Sequence, residues 1–500
     1  MRLAIVDLGS NSIRLLMMEA GDSGYHVVAE AKAVARLGAR NADGTLRQEA
    51  VEQALMALQG FARICAQERC DTVLPVATAA VRSLADPKPF LDAVYRVTGW
   101  KFRILSGEEE AYYDYVAVAN ATPLHDALIA DVGGASTELI LMQGRRPTGM
   151  ISLPVGAVTM TQRFAAGGLA SSAALSACLD AVDTVLDTVT WLGKGSDLPV
   201  VGVGGTARAL GKIERRRTGG LVDVAHMYRL PSETLARLVE RLWSLDLSKR
   251  RQIDGLSKDR ADIILGGSAI FGALCRRLHV SQFVVSGVGL RDGLFFAKLR
   301  SQSTPVVEDP LQESVSNLLR WFHLDRERAQ RRWEICQQLL HPLIASGKLE
   351  EKGERLLYPA AWLCEAGRWI SGYNADRHTL YILLHSQLYG LEQEEMLLAT
   401  LLAGTLQHGN GRSVKPYLAL LPEERRHLLR QLQLILRLAE MLVRLDVFPS
   451  GVVANPKQEC LVIGVGPLLR PLCATMAAPL ENPFRKQFGW TLAFDIEENL

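Results

Sequence analysis

"IADVGGASTELI", residues 129–140, runs from an apolar strand to an acid, a pair of glycines, two hydroxyls and a second acid. Near the start of the chain "IVDLGSNSIRLL" repeats that order from Ile5 to Leu16, and "VVGVGGTARAL", residues 200–210, gives a third apolar run ending on glycines. A glycine turn after a strand lets backbone approach a ligand without a Cβ in the way. Its successive N–H groups form a concavity that suits phosphate oxygens. One such turn is common for backbone reasons alone; three in one chain point to phosphate chemistry. The candidates for holding phosphate are Ser10, Asn11, Ser12, Gly133, Gly134, Ser136, Thr137, Gly204, Gly205 and Thr206.

Asp7 and Asp131 each fall where an apolar strand ends, so their carboxylates project at the C-terminal edge of a sheet, the usual ligand edge of α/β domains. Taken singly, each acid reads as a turn former bonded to its own backbone. Their matching places in repeated turns favour two related lobes with a cleft between them, across which the acids meet. There they suit Mg2+, which keeps several waters and takes one or two carboxylates plus substrate phosphates.

The rest of the chain sets the frame. With 500 residues, 48% hydrophobic and 22% charged, it has the composition of a globular protein of three or four domains. No stretch approaches the run of about 20 apolar residues that a membrane span requires. "MRLAIVDLGS" lacks a signal peptide's apolar core, so residence in the cytoplasm is expected. Eight cysteines, without a CxxC pair, read as reduced thiols. A net charge of +2 does not announce a nucleic-acid binder, although "KIERRRTGG" at 212–220 reads either as an anion-attracting cluster or as a solvated helix end.

Strand and helix patterns alternate to about residue 303. Within them "ILSGEEEA" reads as a strand end, a turn and a helix opened by three glutamates, whose charge suits the positive end of the helix dipole. "SQSTPVVEDP" from 301 reads as a linker. The pattern from 311 to about 445 is helical, and the tail reads as a strand, a helical stretch and a closing strand. The expected domains are lobe I (1–125), lobe II (126–303), a helical domain (304–448) and a small α/β tail (449–500).

Seven motifs in order, "DLGSNSIRLL", "VATAAVR", "ILSGEEEA", "DVGGASTEL", "GVGGTARAL", "GLSKDRADIILGGSAI" and "SGVGLRDGL", resemble the exopolyphosphatase and guanosine pentaphosphate phosphatase family. That family lies within the actin, Hsp70 and sugar-kinase superfamily, and the resemblance covers nearly the whole length. It implies two actin-like (ribonuclease H-like) α/β lobes, an all-helical HD-like domain and a small α/β C-terminal domain. It also implies Mg2+-dependent removal of a terminal phosphate from inorganic polyphosphate or guanosine pentaphosphate, and a homodimer. By the same resemblance Glu110 is the general base, Glu138 its partner acid, Asp131 the metal-associated carboxylate, which Asp7 joins by its place in the repeat, and Arg82 a phosphate-steadying arginine. Lys212 and Arg215–Arg217 would extend the phosphate track.

The chain departs from its relatives in "AAWLCEAGRWI", where Cys364-Glu365 stands in place of a His-acid pair. His323, Arg377 and His378 are read as structural, so the helical region is expected to frame a polyanion and help dimerise rather than hold a second metal. Two other classes compete: a guanosine polyphosphate sensor with vestigial hydrolysis, and an ATP-using sugar kinase or chaperone. Intact Glu110, Asp131 and Glu138 argue against the first, and the helical C-terminal half against the second.

Overall fold

In the computed structural model, the apolar runs of the first 34 residues form three antiparallel strands, β1 (Arg2–Leu8), β2 (Ser12–Gly21) and β3 (Gly24–Val34). The structure describes residues 1–495 except 42, 167–169, 221, 223, 302 and 407–413, and the chain divides into two units, Met1–Pro310 and Leu311–Leu500. In the first unit β4 (Thr72–Ala77) joins β1 in parallel and the short β5 (Arg103–Ile104) follows, giving the order β3-β2-β1-β4-β5.

A second sheet repeats this plan. β6 (Ala127–Val132), β7 (Thr137–Gln143) and β8 (Arg146–Leu153) are antiparallel, and β9 (Val200–Val203) joins β6 in parallel. β10 (Tyr228–Pro231) and β11 (Gln282–Val285) complete the order β10-β11-β9-β6-β7-β8. The register makes the repeat concrete. Asp7 pairs across its hairpin with Arg14, and Asp131 across its hairpin with Glu138. At corresponding places the first sheet therefore carries a base and the second an acid. Central strands covered on both faces read as unbroken apolar runs; Leu3 to Val6 and Leu128 to Ala130 are fully buried.

Helices cover these sheets. The Gln48–Gln67 helix buries Ala50, Ala54, Leu58, Phe61 and Cys65, a spacing of three and four that makes one face. The Lys88–Thr98 helix stops at Gly99, whose φ of 72° is the left-handed cap glycine tolerates best. Ser106 opens the Gly107–Ala121 helix with a capping box, its Oγ accepting from the Glu109 N–H at 3.1 Å and its own N–H donating to Glu109 Oε2 at 2.8 Å. This helix, which follows the first sheet in sequence, packs on β6, β7 and β8 of the second. The Leu290–Leu299 helix, which follows the second sheet, packs on β1 and β2 of the first. The two helices also pack on each other, so close that a Cβ at Gly293 would overlap the Tyr113 carbonyl.

The second unit is helical through Glu423–Arg444, a helix with Pro422 at its N-cap. It ends in a sheet of three strands, β12 (Val452–Asn455), β13 (Cys460–Gly464) and β14 (Thr491–Asp495). The sequence suggests only the last two, because the four residues of β12 give too short a run to signal a strand. His323 is exposed at φ 48°, ending a turn after the Pro310–Trp321 helix, and Arg377 is exposed on the Ala375–His385 helix. Among the described residues no helix is long and apolar enough to cross a membrane.

Candidate active site

The C-terminal ends of β1 and β6, and the turn after β9, open on one cavity of about 150 Å3 within the first unit. Asp7, Ser10, Asn11, Ser12, Glu110, Asp131, Gly133, Gly134, Ser136, Glu138, Gly204 and Gly205 line it. The acids of the two hairpins thus share one space with the glutamate of the "EEEA" run, and local sequence explains how. A Cβ at Gly9 or Gly133 would crowd the carbonyl three residues on, Ser12 and Ser136 respectively, so both turns fold alike. Gly133 N–H donates to the Ser136 carbonyl at 3.0 Å. The two turns touch: a Cβ at Gly134 would lie 2.7 Å from Ser10 Cβ. At Gly204, φ is 88° and a Cβ would fall 2.5 Å from Asp131 Oδ1, so glycine there keeps that oxygen accessible.

Three expected phosphate contacts sit elsewhere. Arg82 ends the Ala79–Arg82 helix and forms an ion pair with Glu110, donating also to the Leu105 carbonyl at 2.7 Å. Thr137 donates its only hydroxyl proton to the Val155 carbonyl at 2.6 Å. Thr206 is fully buried, facing Gly267. Arg216 and Arg217 lie at the far end of the Gly204–Thr218 helix, outside the cavity lining, with Arg217 paired to Glu214.

The cavity also holds cations that sequence reasoning missed: Arg14, Arg208, Arg260 and Arg291. Arg14 Nε donates to Ser12 Oγ at 3.4 Å, Arg208 Nη1 to the Gly287 carbonyl at 3.2 Å and Arg291 Nη1 to the Leu15 carbonyl at 3.4 Å. Arg260 lies over Gly205, where any Cβ would collide with its guanidinium. Burial, then mutual repulsion, push Arg208 down to about 10, and burial does the same for Arg260. Such crowded guanidinium groups await an anion. Of these only Arg14 left a signal in the repeat, where it stands at the place Glu138 takes in the second hairpin.

The carboxyls show the opposite strain. Burial raises Glu110, the charge of Glu138 raises it further, and Arg82 pulls it back. Glu138 is raised by burial and then by Asp131, against hydrogen bonds from Ser152 (2.7 Å) and Ser136. Burial also raises Asp7 and Asp131, which Arg291 and Arg208 respectively counter. Asp114, one helical turn beyond Glu110 and 1% exposed, was also missed; burial and the charge of Asp131, with which it shares a hydrogen bond, raise it well above the ordinary value. A spacing of four on one helix face was its signal.

Oδ1 of Asp7 and Oδ1 of Asp114 are buried without a hydrogen-bond partner. An orphaned carboxylate oxygen costs about 1–3 kcal/mol or more, so Asp7 calls for a cation or donor from outside the chain. Among the described residues no group of three or more His, Cys, Asp or Glu is arranged as a metal cage. That donor set fits Mg2+, which takes one or two carboxylates and completes its shell with water and phosphate. It does not fit a tightly caged ion such as structural zinc.

Residues 16–302 match the Ppx/GppA phosphatase family, and residues 311–446 match its domain III. Similar solved structures include an exopolyphosphatase-like protein at 25% identity and TM-score 0.53, covering 59% of this chain and 96% of that one. The Aquifex aeolicus PPX-GPPA enzyme is 25% identical with TM-score 0.50, over 59% of this chain and 98% of its own. An exopolyphosphatase from Cytophaga hutchinsonii, 22% identical, shares the fold with TM-score 0.56 over 61% of this chain and all of its own length.

Proposed function

This chain belongs to the Ppx/GppA phosphatase family, and on that premise we propose that it hydrolyses the terminal phosphoanhydride of inorganic polyphosphate and releases orthophosphate. One observation carries this reading: five acids and four arginines line a single cavity beside backbone turns suited to phosphate. Phosphoryl transfer asks a protein for positioning and charge neutralisation rather than covalent chemistry. Glu110 is the general base, orienting the attacking water and taking its proton. Burial and the charge of Glu138 raise its pKa to about 9 against the pull of Arg82, and a cation held at Asp7 and Asp131 would lower it toward the range where a base works near neutrality. Glu138 steadies the same water from the second hairpin. Arg14, Arg208, Arg260 and Arg291 neutralise charge on the non-bridging oxygens, with Ser10, Ser12, Ser136 and the glycine N–H groups of both turns. Asp7 and Asp131 are the ligands for Mg2+, which when bound supplies charge neutralisation at the phosphates.

Among the described residues no aromatic side chain lines the cavity, which suits a ligand made of phosphate alone. Guanosine pentaphosphate is the second reading, with its own support. A recess of about 330 Å3 shares Ser10, Asn11 and Ile263 with the cavity and adds Val158, Gln162, Leu247 and Asp262. Within it Asp262 Oδ1 and Asn11 Nδ2 are buried without partners, an acceptor and a donor of the kind a purine edge uses. Orthophosphate release from long polyphosphate and from guanosine pentaphosphate, each with and without Mg2+, separates the readings. Faster release from polyphosphate supports the first; release only from the nucleotide overturns it.

A further inference from the structure

A second concavity of the first unit, about 400 Å3, is lined by Arg216, Arg217, Arg241 and Lys249, with Ile213 and Ile253 as apolar floor. Among the described residues Asp254 is the one acid in its lining. Arg217 is committed to Glu214 at 2.6 Å and Lys249 to Asp246 at 3.5 Å. Arg216 and Arg241 are exposed and form no ion pair among the described residues. Basic residues in a helix's last turn complement its dipole, and that accounts for Arg216 and Arg217. Arg241 and Lys249 stand likewise in the last turns of the Ser232–Ser244 and Leu247–Arg250 helices, and what the dipole does not account for is that three helix ends bring their cations to one hollow.

Two of the three elements that carry this groove lead back to the cavity. The Gly204–Thr218 helix starts at the glycines of the phosphate turn, carries Arg208 into the cavity wall and ends at the groove. At 1.5 Å per residue, Arg216 lies about 12 Å along the axis from Arg208. The segment that supplies Lys249 and Asp254 continues to Arg260, also in the cavity wall. Gly255, at φ 90°, seals that segment against the helix, for a Cβ there would fall 2.8 Å from the Ile213 nitrogen.

We propose that this groove anchors the distal part of a linear polyanion, inorganic polyphosphate, whose terminal phosphate occupies the cavity; the identity of the ligand rests on the function proposed above. A chain with charge on every phosphate can engage both places, and a chain held at the groove keeps its end at high effective concentration beside the cavity. A substrate of three phosphates is too short for both.

The test compares wild type with Arg216→Glu/Arg241→Glu and with a charge-matched control, Arg63→Glu/Arg96→Glu, placed on exposed residues of other helices. Binding of long-chain polyphosphate and of tripolyphosphate is measured without divalent metal over a range of salt, beside thermal midpoints. The groove variant is expected to lose at least about tenfold in affinity for the long chain, to keep its tripolyphosphate affinity and to melt like wild type. Its log–log salt slope should fall by roughly 0.7 for each phosphate contact removed. An unchanged long-chain affinity, an equal loss in the control variant, or an equal loss for tripolyphosphate would overturn the anchor. The two proposals fail separately: wild type that binds the long chain through the groove without releasing phosphate in Mg2+ defeats the function and leaves the anchor. Release with an unaltered KM in the groove variant does the reverse.

Discussion

Two clusters of buried charge in this chain are built on opposite terms. In the helical unit, Arg332 is fully buried, yet each of its nitrogens is used: Nε donates to Glu440 at 2.8 Å, Nη2 to Glu365 at 2.5 Å and Nη1 to the Ala361 carbonyl at 2.9 Å. Arg328 bridges the same two glutamates at 3.1 and 2.9 Å, and Arg444 adds a third bond to Glu440 at 2.7 Å. At the cavity of the first unit, by contrast, Asp7 in its wall and Asp114 behind Asp131 each keep an orphaned oxygen, and buried arginines crowd one another. A closed network holds helices in register; an open one is held ready for something that arrives. Charge left unsatisfied inside a fold is costly, and a site that binds a polyanion is where such a cost is compensated.

Breaking the open cluster should show in turnover first. Glu110→Gln should lower kcat by about 10²–10⁴-fold while polyphosphate KM changes little, as the loss of a general base does; steady-state phosphate release checks it. Breaking the closed cluster should show in stability. Arg332→Met leaves two buried carboxylates short of a partner and should cost about 3–5 kcal/mol by urea unfolding. Replacing Arg332, Glu365 and Glu440 together with apolar residues of similar volume should restore most of that loss. Removing one cavity cation, Arg260→Leu, should lower kcat/KM by about 10²–10³-fold, in line with loss of one preorganised donor. A fall below threefold would mean that Arg260 does not face the reacting phosphate.

The smallest effect sharpens the contrast, because the clusters should respond to pH with opposite sign. Raised carboxyls such as Glu110 and Glu138 hold protons in the folded protein that the unfolded chain has released by about pH 5. The metal-free first unit should therefore lose stability as pH rises through neutrality, and Glu138→Gln should flatten that slope. Burial works to raise Glu440, but Arg332 and its other arginine partners bring it below its ordinary value. Its contribution is present above the unfolded pKa and is lost as pH falls through the folded one. A carboxyl whose folded and unfolded pKa differ by one changes stability by about 1.4 kcal/mol across that range, readable in melting curves at pH 4, 6 and 8.

The sequence was most legible where chemistry is local. Strand, acid and glycine turn follow one another within a few residues, so Asp7, Asp131 and the turns around Gly133 and Gly204 are readable without knowing the fold. Glu110 was readable only through the family likeness of its motif. Of the cavity arginines only Arg14 left a mark, through the repeat; whether Arg208, Arg260 and Arg291 reach the cavity depends on how their helices and turn pack. Arg208 inside the cavity and Arg216 outside it lie on one helix, and only packing tells them apart. The exchange of helices between the sheets was equally hidden, being a matter of which surface an apolar face finds. Cys364-Glu365, marked as a departure, proves to sit within the closed cluster: Glu365 binds Arg328, Arg332 and Arg368, while Cys364 is buried beside it.

Phosphate release from polyphosphate in single turnovers with Mg2+, by Glu110→Gln and Arg332→Met under conditions where both are folded, puts the contrast to the most direct test. Loss of release by the first with near wild-type release by the second is the predicted result. Full release by Glu110→Gln, or an equal loss in both, would contradict it.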